Sequence, residues 1–566
     1  MVIAAKEHRS GAAAGRATDA AGQWEDYHVL RRTAALFASA FALAGVLVGT
    51  AALAPAMAQE PKRGGILRMY QRDNPPSASI HEGATFSVNA PFMGLYNNLV
   101  MYDHSKELDS FDTIIPELAT KWAWGDGGKS LTFTLQPGVK WHDGKPFTAA
   151  DVKCTFDLVQ GKKEDKLRTN PRRSLYDNVL DVVPNGDHEV TLKLGRPQPS
   201  LLNLLASGYT PMYPCHVNAA GMRTRPIGTG PFKLAEFKQN EMIRLTRNTE
   251  YWKPGRPYLD GVEMPIITNR STAMLAFISG KLDLTFPTEV TQQVLRDLRT
   301  QAPKAVCHMG PVNVSTNLIV NRDKPPFDNA DLRRAMALSL DRKAFNTIIA
   351  EGEASVGGTM LPQPQGVWGM PKEMLESIAG YGPDIAANRA EARKLMEKHG
   401  YGSGKRLAVK ISTRNIAAYR DPAVILIDHL KEIYIDGELE IVETGVWFGK
   451  VARKDYAVGL NLTGNSVDDP DQSFFENYSC KSERNVTGYC NPELEKMFEA
   501  QSMETDLEKR KRMVWEIDRQ LQEDVARPII LHNHSGTCWH PEVVGFRMAN
   551  NASYNRYRFE DVWLNR

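Results

Sequence analysis

The sequence predicts an α/β protein of two lobes joined by a hinge, and three observations carry that expectation. Short β-type runs alternate with amphipathic helical stretches from residue 64 onward. A second strand-and-helix pattern starts afresh near Pro311. The 566 residues, 42% hydrophobic and 24% charged, have ordinary globular composition and enough length for more than one core.

The first strand is expected over 65–70. Residues 116–122 read as a short helix, and 131–135 as a strand of alternating apolar and polar side chains that ends in the turn Gln136-Pro137-Gly138. A second turn over 141–146 leads to Thr148, placed to cap a helix that carries Asp151 and Val152. Strands follow at 190–194, 232–237 and 242–246, the last two as a hairpin. After a strand over 311–320 come helices at 329–340 and 388–399, a strand at 407–412, a helix at 421–433 and a strand at 456–462. The helix 507–523 and the strand 528–532 close the series, and the tail to Arg566 returns to the first lobe, a crossing that makes a two-strand hinge. The expected limits are a leader over 1–58, a first lobe over 59–310 with an inserted subdomain at about 109–209, a second lobe over 311–529, and the return over 530–566.

The leader has three parts: the basic pair Arg31-Arg32, an apolar run over 33–53, and the small-x-small site Ala56-Met57-Ala58. Together they read as a cleaved signal peptide, leaving Gln59 first in the mature chain and placing it in the periplasm. The alternative is an uncleaved anchor, because roughly 20 apolar residues can span a bilayer. No cysteine stands near the site, which argues against a lipid anchor. Residues 1–30 are polar and aperiodic and suggest a true start near Val29. Lys+Arg 69 against Asp+Glu 67 leaves a net charge of +2, so no electrostatic case exists for a nucleic-acid partner.

Of the six cysteines only Cys480 and Cys490 are close in sequence, with the turn-forming 485–488 between them. They read as one disulfide or as two free thiols, and export favours the bond. Cys154, Cys215, Cys307 and Cys538 read as small apolar core residues. No second cysteine pair supports a zinc site, and no metal or other cofactor is expected.

Several ordered segments then carry a resemblance. They are Pro116-Glu117-Leu118-Ala119 with Trp122; the run from Gly138 to Ala149, with Trp141-His142-Asp143-Gly144-Lys145-Pro146 at its centre and Asp151-Val152 after it; and Gly228-Thr229-Gly230-Pro231-Phe232. Further on stand 248–252, Pro326-Phe327, Arg333-Arg334-Ala335, Asp341-Arg342 and Asn491-Pro492-Glu493-Leu494. In this order the mature chain resembles the family 5 extracytoplasmic solute-binding proteins of ABC importers, nearest in pattern to the dipeptide-binding members. The resemblance implies a type II periplasmic-binding-protein fold, with two lobes, an inserted subdomain and a hinge. It also implies a membrane permease and its ATPase as partners of a monomer. The motif residues themselves have structural readings: Gly138, Gly144 and Gly230 as positive-φ turn positions, Pro231 as a strand entry, and His142-Asp143 as a surface turn.

Candidate ligand residues come from strand ends and loops. Arg414 follows the strand 407–412, and Ser412-Thr413-Arg414 resembles the place where dipeptide-binding members present an arginine to a ligand carboxylate. It is expected to face water in the open cleft, the alternative being a surface arginine. In the loop 463–471, Asn465 stands where peptide-binding relatives have an aspartate for the α-amino group, and an asparagine cannot balance a cation. Asp468 or Asp469 is the substitute, with an Asx turn before Pro470 as the alternative, and Asp471 reads as a helix cap. Trp368, Trp447 and Tyr478 are candidate pocket walls or else core, and 84–89 could add backbone donors.

The function expected is capture of a small solute without chemistry, the solute being a di- or oligopeptide, an opine-like conjugate or another carboxylate-bearing compound. The alternatives are an exported hydrolase, for which no Gly-x-Ser-x-Gly or His-Glu-x-x-His is present, and a chaperone-like periplasmic protein.

Overall fold

The computed structural model describes residues 60–83, 85–549, 551–552 and 554–566, so the leader, the cleavage site and Ala84 lie outside the described residues. Among the described residues no helix is long and apolar enough to cross a membrane.

The first lobe is built on a four-stranded sheet in the order Ile66–Arg68, Gly261–Pro265, Met242–Arg247, Phe232–Lys238. The first pair is parallel and the hairpin is antiparallel. Period-two alternation explains the hairpin: Ile243 and Leu245 point into the core, while Arg244 faces out and pairs with Glu236 and Glu263. Tyr557, Phe559, Val562 and Leu564 join the same core, so the tail closes this lobe.

A separate antiparallel sheet, in the order Ala119–Gly125, Ser130–Leu135, Glu189–Leu194, Val179–Pro184, has its own apolar core. Here the expected helix over 116–122 is corrected. Trp122 and Trp124 stand opposite Phe133 and Leu131 in a β ladder, and that pairing overrides the local helical pattern. Thr148 and Asp151 form a capping box at the start of Ala149–Val159. Gly138 and Gly144 have φ of 76° and 88°, but Gly230 is not a positive-φ position. A Cβ on Gly230 would overlap the backbone at Leu95 and Tyr96, so close approach is what requires glycine there. His142 ties the motif turns together: its Nδ1 accepts from Gly228 N at 3.2 Å, and its Nε2 donates to Gly230 O at 3.1 Å.

The second lobe holds a five-stranded sheet in the order Ile435–Val442, Leu407–Arg414, Val458–Gly464, Val306–Val320, Ile529–Trp539. The first three strands are parallel, as strand–helix–strand units require, and Val306–Val320 runs antiparallel to both its neighbours. The helices Ala330–Ser339, Ile385–Lys398 and Ala417–Lys431 contribute Leu332, Met396 and Leu426 to the core that covers this sheet. Val306–Val320 and Ile529–Trp539 are long enough to serve both lobes. Bridges from Leu284 to Trp539 and from Val290 to Gly536 hold one end beside the first lobe. The other end, Val314 to Val320, is paired within the five-stranded sheet. The register of the two strands shifts between Pro311 and Ser315, so the ladder is interrupted between the lobes.

The cysteine reading is corrected for four residues. Cys154 bonds Cys215, and Cys307 bonds Cys538, its register partner across the two long strands, with Cα separations of 5.4 and 4.1 Å. Cys480 and Cys490 are also joined, at 4.6 Å.

Candidate functional site

Between the lobes lies a cavity of about 320 Å³. Strand ends supply its first wall. Ile66–Arg68 and Gly261–Pro265 are parallel, and the segments leaving their carboxyl ends bring Arg72 and Arg270 to the cavity. Asn269 caps the helix Arg270–Ile278 by accepting from Thr272 N at 2.9 Å, which fixes the backbone from which Arg270 projects. Both arginines reach the buried Glu289, and Arg72 lies 4.9 Å above the Phe286 ring. The second wall comes from Val312, Val314 and Thr316 at the interrupted ladder, Tyr419 and Pro422 on Ala417–Lys431, and Phe448.

Gly464 and Tyr554 close one side. A Cβ on residue 464 would overlap the Tyr554 hydroxyl, so the ring can lie there only because residue 464 is glycine. Gly464→Ala is expected to displace Tyr554 and lower stability by about 1–3 kcal/mol through overpacking. Affinity for any compound held in the cavity should fall with it, as read by parallel thermal unfolding and titration calorimetry.

None of the seven ligand candidates from the sequence lines this cavity. Arg414 ends its strand as expected, but it is fully buried instead of facing water. Its Nη2 donates to Asp73 Oδ2 at 2.8 Å and to Thr444 Oγ1 at 3.0 Å, and its Nη1 donates to Tyr419 Oη at 2.9 Å. Asp73 follows the first-lobe strand Ile66–Arg68, so a carboxylate of the protein itself occupies this guanidinium. Trp447 is not loop-borne: it lies in the helix Thr444–Ala452 and packs in the core with Ile319, Val442, Val451 and Tyr456. Trp368 and Tyr478 share another core cluster with Phe474 and Tyr489.

The loop 463–471 holds its own structure together. Asp469 caps the helix Pro470–Asn477, its Oδ1 accepting from Asp471 N at 3.0 Å, and Arg510 grips both its oxygens at 2.9 and 3.0 Å. The cap is therefore Asp469 and not Asp471. Asp471 instead accepts from Ser200, Ser502 and Gln501 at 2.5, 2.5 and 2.6 Å. Asp468 accepts from Val367 N at 3.1 Å, and burial pushes its carboxyl up to about 7. Asn465 is buried against Asn313, and its Oδ1 has no hydrogen-bond partner among the described residues. Sequence reasoning missed Arg72, Arg270 and Tyr554. The strand-end rule applied to the first sheet would have found the two arginines, whereas Tyr554 sits in the tail with no motif around it. Among the described residues no three His, Cys, Asp or Glu side chains are grouped to hold a metal ion.

The model of the bacterial extracellular solute-binding proteins, family 5 Middle, matches residues 113–485. A dipeptide-binding protein of Pseudomonas aeruginosa is 24% identical over 497 residues, covering 82% of this chain and 90% of its own. Among solved structures, a periplasmic binding protein from Helicobacter pylori in complex with the peptide STSA superposes with a TM-score of 0.78 at 20% identity, covering 89% of this chain and 99% of that one. The Agrobacterium tumefaciens protein AgaA in complex with agropinic acid superposes with a TM-score of 0.76 at 19% identity, covering the same shares of each chain. These likenesses show the fold: an α/β type II periplasmic-binding-protein fold of two lobes.

Proposed function

Because the chain belongs to the bacterial extracellular solute-binding proteins of family 5, we propose that it is the exported receptor of an ABC importer. It captures a small solute between its lobes, makes and breaks no bond in it, and delivers it to a permease driven by an ATPase. The observation that carries this reading is the cavity, walled from both lobes and bordered by the strands that cross between them. A ligand there contacts both lobes at once, so it stabilises their closed arrangement by its differential affinity for that state.

The volume bears on the solute. About 320 Å³ is at the low end of the roughly 300–1,000 Å³ usual for small-molecule sites. That suits a di- or tripeptide, an opine-like conjugate or another small carboxylate better than a long chain. A dipeptide-binding relative and a structural neighbour holding agropinic acid support the same range. The stretch 31–58 serves as the export signal, and the lobes are taken to meet at 310/311 and 529/530, limits that the long strands Val306–Val320 and Ile529–Trp539 support.

The test is a thermal-shift screen of the mature chain against free dipeptides, tripeptides, opine-like amino-acid conjugates and small dicarboxylates. One compound or a narrow group should raise the unfolding temperature saturably, because a ligand bound only by the folded state stabilises by mass action. No shift from any class would contradict the reading.

A further inference from the structure

One cluster on the cavity wall carries a charge that folding does not neutralise. Arg72 Nη1 meets Glu289 Oε1 at 2.7 Å, and Arg270 Nε meets Glu289 Oε2 at 3.2 Å, so two guanidiniums share one carboxylate. Arg72 and Glu289 are both buried and Arg270 is half-buried, so water screens the surplus positive charge only from the Arg270 side. Nη2 of Arg72 and both Nη atoms of Arg270 have no hydrogen-bond partner among the described residues.

The other charged groups on the wall do not cancel this surplus. Arg484 reaches Glu476 at 2.8 Å, a carboxylate it shares with Arg172, and Glu351 pairs with Arg296, while burial holds the His534 imidazole below its ordinary value. Asp421 lines the cavity from Ala417–Lys431, but it is exposed, and its attraction to Arg270 acts through water. Surplus positive charge with unpaired planar donors at the cavity wall calls for an anion that presents two oxygens.

We propose that Arg72 and Arg270 together receive a carboxylate of the captured solute, with Glu289 holding the two guanidiniums in place. This rests on the reading of the cleft as the solute site. It moves the carboxylate from Arg414, whose donors Asp73, Thr444 and Tyr419 already occupy, to the first lobe. A planar carboxylate with two oxygens matches the unpaired Nη donors of Arg72 and Arg270.

The experiment compares matched pools of dipeptides, tripeptides, opine-like conjugates and dicarboxylates, each as the free acid and as the amide, on the wild type and on Arg270→Gln. The variant keeps the buried Arg72–Glu289 pair and removes the surplus charge. Acids but not amides should stabilise the wild type, and Arg270→Gln should bind the best acid on the order of tenfold to a hundredfold more weakly. Arg270→Lys keeps the charge without the planar fork and should recover part of the loss. Equal binding of acids and amides, or wild-type affinity in Arg270→Gln, would overturn this assignment and leave the receptor reading standing. Binding of nothing from any pool would overturn both. If Arg270→Gln does not fold, Arg270→Lys is compared with the wild type in its place, and wild-type affinity for the best acid in that variant would overturn the assignment.

Discussion

Replacing Arg414 by alanine is expected to destabilise the protein by about 3–5 kcal/mol, the usual result when one partner of a buried ion pair is removed. The residue left behind is Asp73, a buried carboxylate whose Oδ2 now has its charge balanced by Arg414 Nη2 at 2.8 Å. Thr444 Oγ1 donates to the same oxygen at 2.7 Å, but a hydroxyl cannot balance the charge. The loss should be smaller in Asp73→Ala/Arg414→Ala than the sum of the single losses, because the double variant leaves no buried charge unpaired. Urea unfolding of the four proteins measures this. Wild-type stability in Arg414→Ala would return the side chain to water and restore it as a ligand contact. The pair also joins the first-lobe segment after Ile66–Arg68 to the end of a second-lobe strand, so its loss weakens the contact between lobes as well as the fold.

Trp447→Ala should cost a similar amount, about 3–5 kcal/mol, for a different reason. The indole is fully buried among Ile319, Val442, Val451 and Tyr456, and truncation leaves a cavity in that cluster. Because Trp447 does not line the cavity between the lobes, affinity for the proposed solute at a temperature where the variant is folded should change far less than stability. Calorimetric titration beside thermal unfolding separates the two. A large loss of affinity with stability retained would place the indole on the ligand after all.

These two residues show what the sequence could and could not disclose. The strand Leu407–Arg414 was legible from its apolar run, and a strand end is where an open α/β sheet places functional groups. What decides Arg414's role is Asp73, 341 residues away in the chain, and no local pattern reports such a partner. Distance in sequence also hid the disulfides of Cys154 with Cys215 and Cys307 with Cys538, at separations of 61 and 231, while Cys480 and Cys490, only 10 apart, drew attention. The hairpin Phe232–Lys238 and Met242–Arg247 and the helix behind Thr148 were readable because period-two alternation and a capping box are local signals. The stretch 116–122 misled because its strand character comes from pairing with Ser130–Leu135 and not from its own residues. For the loop 463–471 the polar composition was plain, but its aspartates serve Arg510, Ser200, Ser502 and Gln501, groups brought to them by other elements.

The central claim is that the cleft takes up one small solute per chain and releases it unaltered. Native mass spectrometry of the mature protein, loaded with the best acid from the screen and incubated for hours before desolvation, measures both parts at once. The expected spectrum shows a single adduct of one solute per chain, whose mass on release equals that of the compound supplied. Release of cleaved or otherwise altered compound would contradict the account in favour of an enzyme, and binding of unfolded polypeptides in place of a small solute would contradict it in favour of a chaperone-like protein.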